Sequence, residues 1–493
     1  MSFKSLLKQS VSYFWGEAAV MAAGIISFPI LTRLLTKQQY GIMSLLTITA
    51  TILTSVFSMG GNRSILRFYH VYKKTGERTV FVGSLFYAML FSQLLGVSAC
   101  LVAAWLLLMH GFISQTVFYL LPIALGVLIT NNFFLYLNTI YRMEEAVFQY
   151  VSLSVIRQYG AMAVSIYLVF LYGNLFVFFG SQLIVHLLLI SFVLVLLYRK
   201  IGLLIHKVSM PMIKESVKYG VPLSLSAIFT MIMNSGDRYV IAYLLGTEDV
   251  AIYSVGFKLC HYFKEFMITS INMSLIPLVY KLWEQSQAQE AKDTLRSVVK
   301  YYFMAGTAVL CLYTIIPTEL ISILASKKYS DASGVLPVLM LGVIINFDFP
   351  FAAGLYLSKK TFSILIAMAA TAAINIALNF LLIPMIGILG AAYATAFCSF
   401  FLIILLRILS RKTMSYPLPY KEMGKYIILG GLSFWVTSYL TNGILLNQLL
   451  LRCILISTLF LAAYGTLILL SDTHLRNSLF GSRISALLGG KSA

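Results

Sequence analysis

The sequence predicts an all-α polytopic membrane protein of about fourteen transmembrane helices. Twelve form two six-helix bundles related by a parallel repeat, and two are appended at the C-terminal end. Three observations lead there. Of the 493 residues, 60% are hydrophobic and 11% are charged, where soluble domains carry about 25% charged residues. Apolar runs near or above the ~20 residues needed to cross a ~30 Å hydrocarbon core recur along the whole chain. A segment that follows the first run also returns after the seventh.

In order, the first six runs are 11–31, 43–66, 80–108, 117–140, 151–172 and 175–198. The next six are 219–245, 251–280, 298–324, 333–357, 362–383 and 388–409, and 423–440 and 445–470 complete the set. The loops support this count. With the N-terminus inside, 26 of the 36 lysines and arginines fall on inner segments. Four (Arg33, Lys37, Lys327 and Lys328) fall on outer loops. That positive-inside bias puts both termini in the cytoplasm. Arg63, Arg157, Arg238, Lys258, Lys264 and Arg452 remain in or near the helices.

The net charge of +19 therefore reflects topology and excludes a nucleic-acid partner, because the cations alternate with apolar runs and form no soluble basic face. The five cysteines sit in apolar runs without CxxC spacing and read as packing residues, with no metal site. No cleavable signal is expected. No loop has room for an extramembrane domain. The longest are 282–297 and 200–218, the second being either a surface helix over 201–212 or a plain linker.

Thr32 to Ser44 (TRLLTKQQYGIMS) aligns with Ala242 to Ser254 (AYLLGTEDVAIYS), and Leu34, Leu35 and Ser44 fall on Leu244, Leu245 and Ser254. Each copy is the outer turn between the first and second helix of a half. Six helices separate the copies, so both halves have the same orientation, as in parallel transporter repeats. The expected organisation is 1–200 as the first bundle, 201–218 as a cytoplasmic linker and 219–410 as the second bundle. Residues 411–493 supply two further helices and a tail.

The stretch 231–265 carries the densest chemistry: Asn234, Asp237, Arg238, Lys258, His261, Lys264 and Glu265 lie within two spans joined by an acidic turn at 246–250. Ionisable groups at bilayer depth cost about 2.5–3.5 kcal/mol each on insertion scales, so they face a partner or a watery cavity. Lys258, His261 and Glu265 stand at i, i+3 and i+7, on one helix face. A cationic face of this kind suits a hydrated cavity for an anion. The alternative is salt bridging, for instance Asp237 to Lys258, that joins two helices.

Three fragments resemble one family. Arg33 to Gly41 with Met59 to Tyr69, then Tyr219 to Pro222 with Asp237-Arg238 and Ile252 to Ser254, and finally Asn375 to Pro384 with Gly387 to Thr395, resemble bacterial polysaccharide flippases. These are the oligosaccharide-lipid translocases of the MATE-like exporter superfamily. The resemblance covers nearly the whole chain. It implies a V-shaped pair of bundles that alternate between inward- and outward-open states. The implied substrate is an undecaprenyl-diphosphate-linked oligosaccharide, moved across a bacterial cytoplasmic membrane without enzymatic chemistry or a cofactor; the sequence leaves proton, sodium and membrane potential open as the driving force. Expected partners are that substrate, membrane lipids and the polymerase machinery that consumes the product.

A lipid-linked diphosphate needs cations, for which Arg donates in bidentate fashion and Lys acts as a point charge. Arg238 and Lys258, with His261, Lys264 and Asn234 deeper, are candidates on one side of the membrane, and Arg63 and Arg157 on the other. Against this stand pairing of Arg238 with Asp237 and simple anchoring of the inner arginines. Glu17, Asp237, Glu265 and Asp348 are candidates for coupling or gating, Asp348 because Asn346 and Pro350 mark a broken helix. His186 reads as a core histidine, and Asn131, Asn132 and Asn138 as sugar ligands or interhelical bonds. A multidrug antiporter would want acidic residues in its cavity. A polymerase or glycosyltransferase would want a catalytic domain or a large outer loop.

Overall fold

The computed structural model describes residues 3–201, 208–358, 360–441, 448–472 and 476, and these contain no strand. They build two compact units, Met1–Ser254 and Val255–Ala493. The first holds α1 (Phe3–Leu34), α2 (Lys37–Phe57), α3 (Gly61–Lys74), α4 (Arg78–Met109), α5 (Gln115–Met143), α6 (Val147–Tyr172), α7 (Leu175–Ile201), α8 (Met210–Ser235) and α9 (Asp237–Leu244). It also takes the first turns of α10 (Thr247–Lys264). The second unit continues α10 through a π-turn (Glu265–Thr269) into α11 (Ser270–Glu284). It then runs through α12 (Ala288–Ile315), α13 (Pro317–Leu324), a 3-10 turn (Lys327–Ser333), α14 (Leu336–Ile345) and α15 (Asp348–Leu357). It closes with α16 (Thr361–Ile386), α17 (Ile388–Ser410), α18 (Tyr420–Thr441) and α19 (Leu449–Ser471).

Among the described residues all fourteen apolar runs fall on helices, residues 445–447 of the last run lying outside the described residues. Among the described residues eleven segments are long and apolar enough to cross a bilayer; α1, α8–α9 and α18 account for the other three runs. Local sequence explains the ends. Thr36 and Gln39 form a capping box at the start of α2, each side chain bonded to the other's backbone N–H. Gly60 sits in the left-handed region at φ +69° and turns α2 into α3.

One expected boundary is corrected and one expected break is placed. The ninth span was expected at 298–324 after a polar loop at 282–297. Instead α12 starts at Ala288 and only 285–287 separate it from α11. The segment AQEAKDTLRS is rich in helix formers, and Gln289 bonds Asp293 one turn on. The helix stops before Pro317, which lacks the N–H to continue it and opens α13 instead. The tenth span is interrupted at Asn346 and Phe347, leaving α14 and α15 as two ten-residue pieces. Of the segment expected to be a surface helix or linker, residues 202–207 lie outside the described residues.

The repeat has a physical counterpart. Ser44 and Ser254, aligned in the two copies, hydrogen-bond to each other at 3.0 Å. Equivalent positions of the two aligned segments therefore meet where α2 and α10 run side by side near their starts. Gly41, aligned with Ala251, lies against the backbone of Thr247 and Ala251. The division by compactness falls later than the linker because α8 packs on α2, α3 and α4. There Ser64 Oγ donates to the Ser216 carbonyl at 2.9 Å and Tyr72 OH to Glu215 at 2.6 Å, while the Gly60 and Gly220 backbones touch.

The core of the first unit gathers Ile65, Tyr69, Phe81, Phe134, Leu137 and Val193. In the second, α18 and α19 join α12 through Tyr426, Phe460 and Tyr464. That joint is pinned at one end by Lys300 on Asp472 at 2.9 Å and Tyr426 on the same carboxylate at 3.0 Å.

Candidate functional site

The polar side chains fall into separate clusters. In the first unit, Asp237 opens α9 and accepts from the Arg238 backbone N–H at 2.8 Å, from Arg238 Nη1 at 3.4 Å and from the Tyr253 hydroxyl. Arg238 Nε donates to Ser254 at 3.2 Å and Nη1 to the Asn234 carbonyl at 3.0 Å. Its guanidinium lies 5.7 Å from the Tyr253 ring centroid. Asp237 is 1% and Arg238 4% exposed. This is a buried ion pair, and the bonding of Arg238 to Asp237 is the pairing weighed from the sequence.

A second cluster of this unit joins α5, α6 and α7. The sequence set Arg157 near the start of its helix. Because α6 begins at Val147, Arg157 stands ten residues in, about 15 Å along the axis. Its guanidinium donates to Asn131 Oδ1 and lies 5.0 Å over the Phe134 ring. His186, buried, holds Val127 O at 3.3 Å and Thr130 at 3.5 Å, within Coulombic reach of Arg157. Asn138 bonds Tyr150 O and Ser154, and Asn132 bonds Thr54 O. Arg63 is exposed on α3. Glu17 stands in α1, and its side chain lies outside the described residues.

In the second unit, Lys258 is exposed with its ammonium 5.2 Å over Tyr262. His261 Nε2 meets Glu265 Oε1 at 3.4 Å and its ring stacks on Phe257. Lys264, the last residue before the π-turn, is within Coulombic reach of Glu265 and Asp348. Asp348 opens α15 after the break, and its carboxylate takes its own and the Phe349 backbone N–H. π-turns and broken helices recur at functional sites because they expose backbone and redirect side chains. Beside them lies an apolar cavity of about 330 Å³ between α11 and α12, lined by Met267, Ile271, Leu278, Val298 and Tyr302 among others. Tyr302 stacks on Phe347 at 4.3 Å, next to Asp348.

One cluster escaped the sequence reading. Glu144, in the turn after α5, accepts from Tyr69, from Lys73 at 2.8 Å and from Arg78 at 3.1 Å, tying α3, α4 and α5 together. Burial alone would raise its pKa, but the Lys73 and Tyr69 hydrogen bonds and the two cations outweigh it and hold the carboxyl below the ordinary glutamate range. Its signal in the sequence was an acid in a turn on the positive side, which charge counting passes over.

Residues 6–283 match the family model described as polysaccharide biosynthesis protein. The chain belongs to the polysaccharide biosynthesis protein family. A MatE model matches residues 222–381. An uncharacterized membrane protein of Methanocaldococcus jannaschii is 23% identical over 261 residues, 52% of this chain and 50% of that protein. The match thus spans half the length of that relative. Among solved structures, the inward-closed lipid II flippase MurJ superposes with TM-score 0.71 at 15% identity, over 94% of this chain and 99% of its own. An inward-facing multidrug resistance MATE transporter of the MOP superfamily gives 0.65 at 13% identity, over 80% and 94%. At these identities the likeness establishes the fold alone: this polysaccharide biosynthesis family member is a multi-pass helical membrane protein folded like MurJ and the MATE transporter.

Proposed function

We propose that the protein is a flippase that carries a polyprenyl-diphosphate-linked oligosaccharide from the inner to the outer leaflet of a bacterial cytoplasmic membrane, by alternating access and without catalysing a reaction. Both termini are then cytoplasmic, and a polysaccharide polymerase consumes the product. One observation favours this over export of cationic drugs. The carboxylates of the candidate clusters have basic groups beside them: Asp237 bonds the Arg238 guanidinium, Glu265 lies 3.4 Å from the His261 ring, and Asp348 is within Coulombic reach of Lys264. A cationic drug would have to displace a resident cation, whereas a diphosphate would not. The proposed head-group contacts are Lys258 and Lys264 in the second unit and, separately, Arg157 in the first, with Asp348 as the proposed coupling group for proton or sodium.

The test is a strain deleted for the gene, assayed for lipid-linked repeat unit on the cytoplasmic face. Accumulation reversed by wild type but not by well-expressed Lys258→Ala supports the reading. Absence of accumulation, with altered sensitivity to cationic drugs, refutes it in favour of an antiporter.

A further inference from the structure

Helix α3 carries Arg63, Arg67, His70 and Lys74 at i, i+4, i+7 and i+11, and all four are exposed. At 100° per residue they fall within about 60° of one another, on a single face. The opposite face is fixed: Ser64 and Tyr72 bond α8, Tyr69 and Lys73 bond Glu144, and Ile65 is fully buried. Of the nearby acids, Glu144 and Glu215 are bonded to side chains off the strip, and exposed Glu77 follows the helix end without an ion pair to it. Among the described residues none of Arg63, Arg67, His70 and Lys74 has a carboxylate within ion-pair distance, although Lys73, Arg78, Arg238, Arg296, Lys300 and Arg452 all do.

Depth and flanks identify what such a face meets. The 21 residues of α2 cover about 31 Å, the full hydrocarbon core. The 14 residues of α3 therefore cross the head-group layer on the side that the lysine and arginine count assigns to the cytoplasm. Leu66 and Val71, 46% and 53% exposed, border the cations on either side. A charged strip with apolar borders at phosphate depth matches a lipid with an anionic head, better than a soluble anion.

We propose that this face of α3 captures the diphosphate of the polyprenyl-linked substrate in the cytoplasmic leaflet, before the carrier takes it up. The proposal rests on the flippase reading and adds the place of first contact. Phosphatidylglycerol offers the same phosphate chemistry, so the test separates the two sources. Full-length protein in phosphatidylethanolamine nanodiscs is titrated with undecaprenyl diphosphate, and separately with phosphatidylglycerol.

The variant is Arg63→Gln/Arg67→Gln, which leaves the buried face of α3 intact. The control is Lys327→Gln/Lys328→Gln, which removes the same charge from another part of the chain. The expected result is an apparent Kd for undecaprenyl diphosphate weakened about thirtyfold in the α3 variant, little change in the control, and a weaker loss for phosphatidylglycerol. Unchanged binding in a monodisperse α3 variant overturns the proposal, as does an equal loss for both lipids, which makes the strip a general lipid anchor. Failure of wild type to bind undecaprenyl diphosphate overturns it too. In each of these cases the accumulation assay in the deletion strain decides separately whether the flippase reading stands.

Discussion

Gly41→Ala tests the packing of α2 against the start of α10. A Cβ at position 41 would lie 1.9 Å from the Thr247 carbonyl oxygen, where real Cβ contacts stay above 3.0 Å. The obstacle is backbone in the first turn of α10 and has no rotamer to change, so α2 and α10 must part by about 1 Å. That parting stretches the Ser44–Ser254 bond from 3.0 Å past useful length. Overpacking costs about 1–3 kcal/mol and the interhelical bond about 0.6 kcal/mol. The helix propensity of Ala over Gly returns up to about 1 kcal/mol. The expected net loss is about 2 kcal/mol. Thermal unfolding of the purified protein in detergent, followed by size exclusion, measures it against Gly180→Ala. Position 180 has nothing within 4 Å of an added Cβ, so that variant should melt with or above wild type. Ser254→Ala should cost less in the Gly41→Ala background than alone, since its bond is already broken. Gly41→Ala melting with wild type, or additive double-variant losses, would refute the reasoning.

Three further outcomes follow from the buried polar groups. Asp237→Ala leaves the Arg238 guanidinium buried without its carboxylate and should cost about 3–5 kcal/mol, read as a lower melting temperature or failed membrane accumulation, with Asp237→Ala/Arg238→Met recovering part of the loss. Glu144→Gln should destabilise the Tyr69–Lys73–Arg78 joint by about 1–3 kcal/mol at neutral pH, and a double-mutant cycle with Lys73→Met checks it. Because the folded carboxyl titrates below the ordinary glutamate range, its contribution is complete above that range and is lost as pH falls through the lowered folded value. The stability difference between wild type and Glu144→Gln should therefore shrink on acidification, and a pH-independent difference would contradict the assignment.

The candidate clusters were partly legible beforehand. Arg238 beside Asp237 is a pair the sequence suggests, and it forms, whereas His261 and Glu265, read only as sharing one helix face, meet each other at 3.4 Å. The break before Asp348 was readable from Asn346 and Pro350. Three features were not. The partners of Glu144 come from 66 to 75 residues earlier in the chain, and no local pattern connects them. The depth of Arg157 depended on where α6 begins, which its apolar run understated by four residues. The cations of α3 were visible as topology but not as a strip, because nothing local reveals which face α5 and α8 cover.

The sequence by itself determined the membrane class, the number and order of the spans, and the repeat that aligns Ser44 with Ser254. These are local properties: a bilayer obliges each span to satisfy its backbone within one helix, so apolar length and turn residues suffice to place it. Only the tertiary structure decided which charges are neutralised, which face of α3 stays open, and that Ser44 and Ser254 touch. Such facts depend on which helices meet and at what depth, and the free energy of a buried charge is set by neighbours that arrive from distant parts of the chain.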